Sequence, residues 1–332
     1  MGKYALDAFE AHPLTKLRPP MAAPDSSSFT LVSAPAEIQG DSPALLRPAL
    51  PDSLETACAL LARMAETLPH SPKPIAVAAT GRSFPEEALP RLAQAYIQSF
   101  PGMALLAAPD DPLMPHLPEA GLWLEADRGI LPLRLAIARN HLERRWRQHP
   151  VYAWTEQPLT EEFLQALTRW HCTACNLPGP FGPQMTLRRL MFPRALTAGA
   201  QAPFRMWWQN LGTAPIYGPA AALLVLEKDG TRFPLDGDAP IECRLGDATC
   251  NPTLTLPDLP DGEYPLLCAL EADGRRLPLS MEVPSKDGLY TVGTVRLDHT
   301  PRPYLQTMWQ AQYADGYYPL EDPAAPEEGG TL

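Results

Sequence analysis

Three carboxylates stand at the ends of two apolar runs. Glu125 closes and Asp127 follows the run Gly121-Leu-Trp-Leu, and Glu156 follows Val151-Tyr-Ala-Trp-Thr155. If these runs are parallel strands, the acids lie at strand C-terminal ends, where βα loops gather reactive groups. Two carboxyl groups facing one bond can divide acid–base work: one donates a proton while the other attacks or activates water. Glu156 is the best-placed single acid, and Glu125 and Asp127 could line the same mouth. Trp123 and Trp154 neighbour them in sequence and offer flat apolar faces. A plainer reading competes. Glu156 stands four residues ahead of a helix start, where acids are common without any reaction to perform. The partner acid is less defined. The run Ala76-Val-Ala-Ala-Thr80 is followed by Gly81 and Arg82, a cation where an acid is wanted, so Arg82 joins Glu125, Trp123 and Trp154 as a candidate for substrate binding. Alternatively Tyr4 to Glu10 is the earlier strand and Glu10 the acid. If neither holds, a two-carboxylate mechanism fails, because one carboxylate cannot be nucleophile and proton donor at once.

These residues need a scaffold, and the patterning supplies one. Apolar runs at 74–80, 103–107, 121–125 and 151–155 alternate with helical patterns at 54–68, 85–100, 133–148 and 160–170. Alternation of this kind predicts βα units and a parallel sheet. Residues 13–52 read mostly as loop, apart from Phe29-Thr-Leu-Val32, and His171–Ala174 reads as a last short strand. A full (β/α)₈ barrel takes about 250 residues, so the first domain, 1–183, is either a shortened barrel or an open parallel sheet. After residue 184 the pattern changes. Phe204, Met206 and Trp208 alternate with Arg205, Trp207 and Gln209, the period of a half-buried strand. At most one of Trp207 and Trp208 then faces a core. Asp-Gly pairs at 229–230, 236–237, 261–262, 273–274 and 287–288 separate further apolar runs, a hairpin signal. About seven strands over 184–298 fit an immunoglobulin-like antiparallel β-sandwich. Residues 299–332 form an aromatic, then Pro/Glu/Gly-rich tail. The expected fold class is α/β plus all-β.

Totals bound the chemistry. The chain has 332 residues, 41 of them proline, and a net charge of −11. Proline at more than twice its usual share of about 5% suggests many short elements joined by turns. The acidic balance argues against a nucleic-acid partner, which would want a basic stripe. No apolar run reaches the roughly 18 residues of a membrane span. The N-terminus lacks a signal peptide's apolar region, which makes a cytoplasmic location the default, or a secreted one if the true start lies upstream. Cys172-Thr-Ala-Cys175 has no second ligand pair at fitting spacing, so no metal is expected, and nothing calls for a cofactor.

Three stretches carry a resemblance: Trp207-Trp-Gln-Asn210-Leu-Gly212-Thr-Ala-Pro215-Ile-Tyr217, Leu256-Pro-Asp-Leu-Pro-Asp-Gly262-Glu-Tyr264-Pro-Leu266, and Asp287-Gly-Leu-Tyr290-Thr-Val-Gly293. They resemble a bacterial domain of unknown function that follows (β/α)₈ barrels in glycoside-hydrolase-like proteins. Ala95–Pro101, Gly121–Asp127, Trp146–Glu156 and His171 are similar to later βα units of such barrels. The resemblance covers about residues 75–297. It implies a carbohydrate ligand, a nucleophile on the late strand that ends at Glu156, and sugar stacking on Trp154 or Trp123. Two readings follow: a glycoside hydrolase acting on an oligosaccharide or polysaccharide, or a non-catalytic carbohydrate-binding or structural protein with a degenerate barrel.

Overall fold

The computed structural model describes residues 29–38, 43–68, 75–242, 244–272, 274–301, 303–304 and 309–312. They divide into two compact units. One runs to Gly182 and takes in Thr213–Tyr217; the other comprises Pro183–Gly212 and the residues from Gly218 on.

The first unit holds seven short strands: β1 (Thr30–Val32), β2 (Ala44–Leu46), β3 (Ala76–Ala79), β4 (Leu105–Ala107), β5 (Gly121–Glu125), β6 (Val151–Trp154) and β7 (Ala174–Cys175). They form one parallel sheet in sequence order. Four α-helices of this unit lie among the described residues: α1 (Leu54–Thr67), α2 (Leu89–Ser99), α3 (Ile130–Arg139) and α4 (Glu161–Arg169). All four pack on the same face. Leu61, Leu92, Leu133 and Leu167 share one core with Val77, Leu122 and Val151. Strand residues of the opposite parity, among them Leu45, Ala78, Leu106, Trp123 and Tyr152, form a separate cluster that contains no residue of the four described helices. Sequential order with all four described helices on one face is the arrangement of a barrel rather than a doubly wound sheet. The sheet curls into a half-barrel.

Two local expectations are corrected. β2 lies in a stretch read as loop; it is three residues long and bracketed by Pro43 and Pro48, so it shows no periodicity. The helix expected over 133–148 starts at Ile130 and stops at Arg139. Asn140 turns its side-chain amide back to the carbonyl of Ala136 at 2.9 Å, and His141 follows at φ 55°, the left-handed conformation that ends helices. Beyond it a 3₁₀ turn, Arg145–Arg147, is fixed by Arg145, whose Nε donates to Ala120 O at 2.7 Å and whose Nη2 reaches the carbonyls of Leu117 and Pro118. α4 begins as its sequence predicts, with the Thr160 hydroxyl accepting from the Phe163 amide at 3.2 Å.

Among the described residues the second unit is mostly antiparallel, with a parallel pairing of Ala195–Thr197 with Leu289–Asp298 and an isolated parallel bridge between Met185 and Leu279. One sheet orders Gly246–Cys250, Arg205–Asn210, Met185–Pro193 and Trp309–Gln312; another is built on Ala220–Lys228, Gly262–Ala272 and Leu289–Asp298. Phe204, Met206 and Trp208 are buried as the alternation predicts, and Trp207 is half-buried. Asp229-Gly230 and Asp287-Gly288 turn hairpins with both residues at positive φ, as the Asp-Gly pairs predict. Arg275–Leu277 forms a short strand against Gly262–Ala272.

Candidate functional site

The candidate mouth is the C-terminal rim of the half-barrel, and residue parity says what faces it. Aligned residues of neighbouring parallel strands share a face. Trp123 pairs with Tyr152, and two residues on Glu125 pairs with Trp154. Trp123 and Tyr152 therefore lie deep on the inner face, and Glu125 and Trp154 lie at its rim. Trp123 is only 3% exposed and packs against Phe29, with ring centroids 6.3 Å apart. It presents no open face for stacking. Trp154 is half-buried and packs at the edge of the same inner cluster. Burial also pushes the Tyr152 hydroxyl up to about 12.

Most strand-end acids are committed to other strand ends. Glu125 accepts from Arg47 Nη2 at 2.9 Å, linking the ends of β5 and β2. Arg82, after β3, binds Asp110, after β4, at 2.8 Å. Arg128, after β5, grips both oxygens of the same Asp110 at 2.8 and 2.5 Å. That bidentate contact holds the Asp110 carboxyl below its usual range, with Arg82 adding to it. Asp111 is 3% exposed and accepts from Thr80 Oγ1, Gly81 N and Leu113 N at 2.8, 2.9 and 2.9 Å. Gly81 is needed at this crossing, because a Cβ there would come within 3.0 Å of Leu113 and 2.8 Å of Leu89.

Asp127 and Glu156 are brought together, but through the backbone of Glu156. One Asp127 oxygen accepts from the Thr155 hydroxyl at 2.7 Å and the other from Glu156 N at 2.9 Å. Asn176, after β7, brackets Thr155 from the other side, donating to its carbonyl at 2.8 Å and accepting from its amide at 2.9 Å. Asp127 is thus a positioning residue for the loop after β6. Glu156 itself is exposed, and among the described residues its carboxylate meets no hydrogen-bond or ion-pair partner. Glu10 lies outside the described residues.

Sequence reasoning missed Arg47, Asp110, Asp111, Arg128 and Asn176. Asp110 and Asp111 satisfy the strand-end criterion that selected Asp127 and Glu156, so a signal was present. Cys172 and Cys175 are buried, and burial pushes both thiols up. Among the described residues no group of three or more His, Cys, Asp and Glu side chains could hold a metal ion, and no described helix is long and apolar enough to cross a membrane.

No protein-family model matches the chain, and no curated protein sequence does. Solved structures give remote matches. A β-glucosidase from Listeria innocua in complex with glucose is 11% identical, with a TM-score of 0.26, over 85% of this chain and 47% of that one. A Niemann-Pick type C2 protein from Japanese carpenter ant is 6% identical, with a TM-score of 0.24, over 35% of this chain and 92% of that one. A CARDB domain from Pyrococcus furiosus is 13% identical, with a TM-score of 0.22, over 35% and 93%. At such scores none of them assigns a fold or an activity to this chain.

Proposed function

We propose that this chain is a non-catalytic carbohydrate-binding protein built on a degenerate glycosidase-type half-barrel. The observation that carries this reading is the commitment of the rim acids. Glu125, Asp110, Asp111 and Asp127 each serve another strand end or loop, which leaves Glu156 as the unengaged acid among the strand-end carboxylates described. Glycosidic hydrolysis by the two-carboxylate route needs a second group free to exchange a proton. A binding mouth needs less: a flat apolar face and polar groups in fixed positions. Trp154 supplies the face, and the Arg47–Glu125 pair and Glu156 supply the polar partners. The family resemblance supports carbohydrate as the ligand class. On this reading the antiparallel unit is the immunoglobulin-like sandwich that follows such barrels.

A glycan array followed by hydrolysis assays on whatever binds tests the proposal. Binding lost in Trp154→Ala, with no turnover of the bound glycan, is the expected result. Turnover that falls many-fold in Glu156→Gln would replace it with the glycosidase reading. No binding to any glycan would remove carbohydrate altogether.

A further inference from the structure

On the opposite, helix-covered side of the sheet the early end of α3 leaves a pocket of about 510 Å³ between α3, the loop after it and α4. That volume is in the range of small-molecule sites, roughly 300–1,000 Å³. The floor is apolar and buried, formed by Leu122, Ile137 and Ala166. Trp146 and Trp170 form half-buried walls, and Arg134, Arg169 and Glu143 stand at the lining's exposed parts.

Three features distinguish this pocket from a packing gap. Its aromatic wall is held in place from several sides. The Trp146 ring stacks on His171 with centroids 3.6 Å apart, Arg147 lies 5.6 Å from the same ring, and Tyr217 donates to the Trp146 carbonyl at 2.6 Å. His171 is itself fixed, its Nδ1 lying 2.9 Å from the Thr213 carbonyl, and Trp170 is set edge-on to Phe163. Both arginines are unspent: among the described residues neither Arg134 nor Arg169 has an ion pair or a hydrogen-bonding partner. The local charge is also inverted. Residues 134–147 carry five arginines against one glutamate in a chain of net charge −11. A desolvated apolar floor between fixed indoles, with two free guanidinium forks above it, favours a ligand that is flat and apolar at one end and anionic at the other.

We propose that this pocket binds a small amphipathic anion, a planar apolar body bearing a carboxylate, sulfonate or phosphate group. The site is separate from the rim, so it stands or falls independently of carbohydrate binding there. The probes are 8-anilinonaphthalene-1-sulfonate and its uncharged counterpart N-phenyl-1-naphthylamine, titrated by fluorescence into the full chain. Saturable one-to-one binding of the sulfonate is expected. The double variant Arg134→Gln/Arg169→Gln should weaken the sulfonate about tenfold or more and the neutral probe less than about twofold, since charge-assisted hydrogen bonds read only the anion. Ala138→Phe, at an exposed lining position on α3, should displace both probes while the thermal midpoint stays at the wild-type value. Absence of saturable sulfonate binding would overturn the proposal. So would an equal loss of both probes in the double arginine variant, or undiminished binding in Ala138→Phe, which would put the probe elsewhere.

Discussion

The rim of the half-barrel and the pocket behind it are both rich in charge, yet the charges are employed oppositely. At the rim every described arginine has a carboxylate: Arg47 has Glu125, and Arg82 and Arg128 share Asp110. In the pocket Arg134 and Arg169 have none among the described residues. The difference follows from what each place must hold together. Strands of two to five residues have few ladder hydrogen bonds of their own, so their ends are tied by side chains across β2–β5, β3–β4, β4–β5 and β5–β6. α3 and α4 satisfy their backbones internally and are fixed by Leu133, Ile137, Phe163 and Leu167 in the core, so side chains on their outer turns need bear no structural role. A charged group engaged in the frame is weak evidence for chemistry, and an unengaged one beside a preformed cavity is stronger evidence.

The largest test of this contrast is Asp111→Ala. The substitution removes an acceptor from two buried amides, Gly81 N and Leu113 N, and from the Thr80 hydroxyl. Leaving buried donors unsatisfied should cost about 3–5 kcal/mol in total, read as a lower denaturant midpoint. Asp111→Asn keeps an acceptor for the amides and should lose less. A midpoint unchanged in Asp111→Ala would mean that the rim network is not what holds the strand ends.

The frame was partly legible in the sequence and the pocket was not. Glu125, Asp127 and Glu156 follow apolar runs, and strand-end position alone located them. Their partners were hidden for physical reasons. Arg47 follows a three-residue strand between prolines, where no periodicity can develop, and Asp111 acts through its burial, which spacing does not reveal. The parity of β5 was available. Trp123 and Glu125 share a face, but whether that face is covered at Trp123 and open at Glu125 depends on the depth of the curl. The pocket depends on where α3 ends. Leu133, Ala136, Ile137 and then Leu142, Arg145, Trp146 each keep an i, i+3, i+4 spacing, and the five-residue step between the two sets puts them about 140° out of phase, but the cue that fixes the end is local, Asn140 bonding back to Ala136 and His141 turning left-handed.

A smaller test lies in acid. Arg128 lowers the Asp110 carboxyl in the fold, so this pair contributes stability that is present above the unfolded carboxyl's value and is lost as pH falls through the folded one. Both side chains are partly solvated, so the contribution should stay below about 1 kcal/mol after screening. It should appear as a slightly steeper loss of stability below about pH 4 in the wild type than in Arg128→Gln. Added salt should narrow the gap. Equal acid limbs at low salt would show that Asp110 and Arg128 are together in the fold without stabilising it.

The smallest expected effect is the most telling. Arg134→Gln/Arg169→Gln removes two positive charges from helix surfaces where neither has a partner among the described residues. Arg169 lies in the last turn of α4, where a cation is favoured by the negative end of the helix dipole, so a loss of a few tenths of a kcal/mol is expected there. Substitutions away from packing and networks usually stay within about 0.5 kcal/mol, and the double variant should do the same in a denaturant titration. A loss of about 2 kcal/mol or more would place these arginines in the frame, like those of the rim, and dissolve the contrast. Near-neutral stability combined with a selective loss of anion binding would separate the two regions: arginines whose removal the fold tolerates and a bound anion does not.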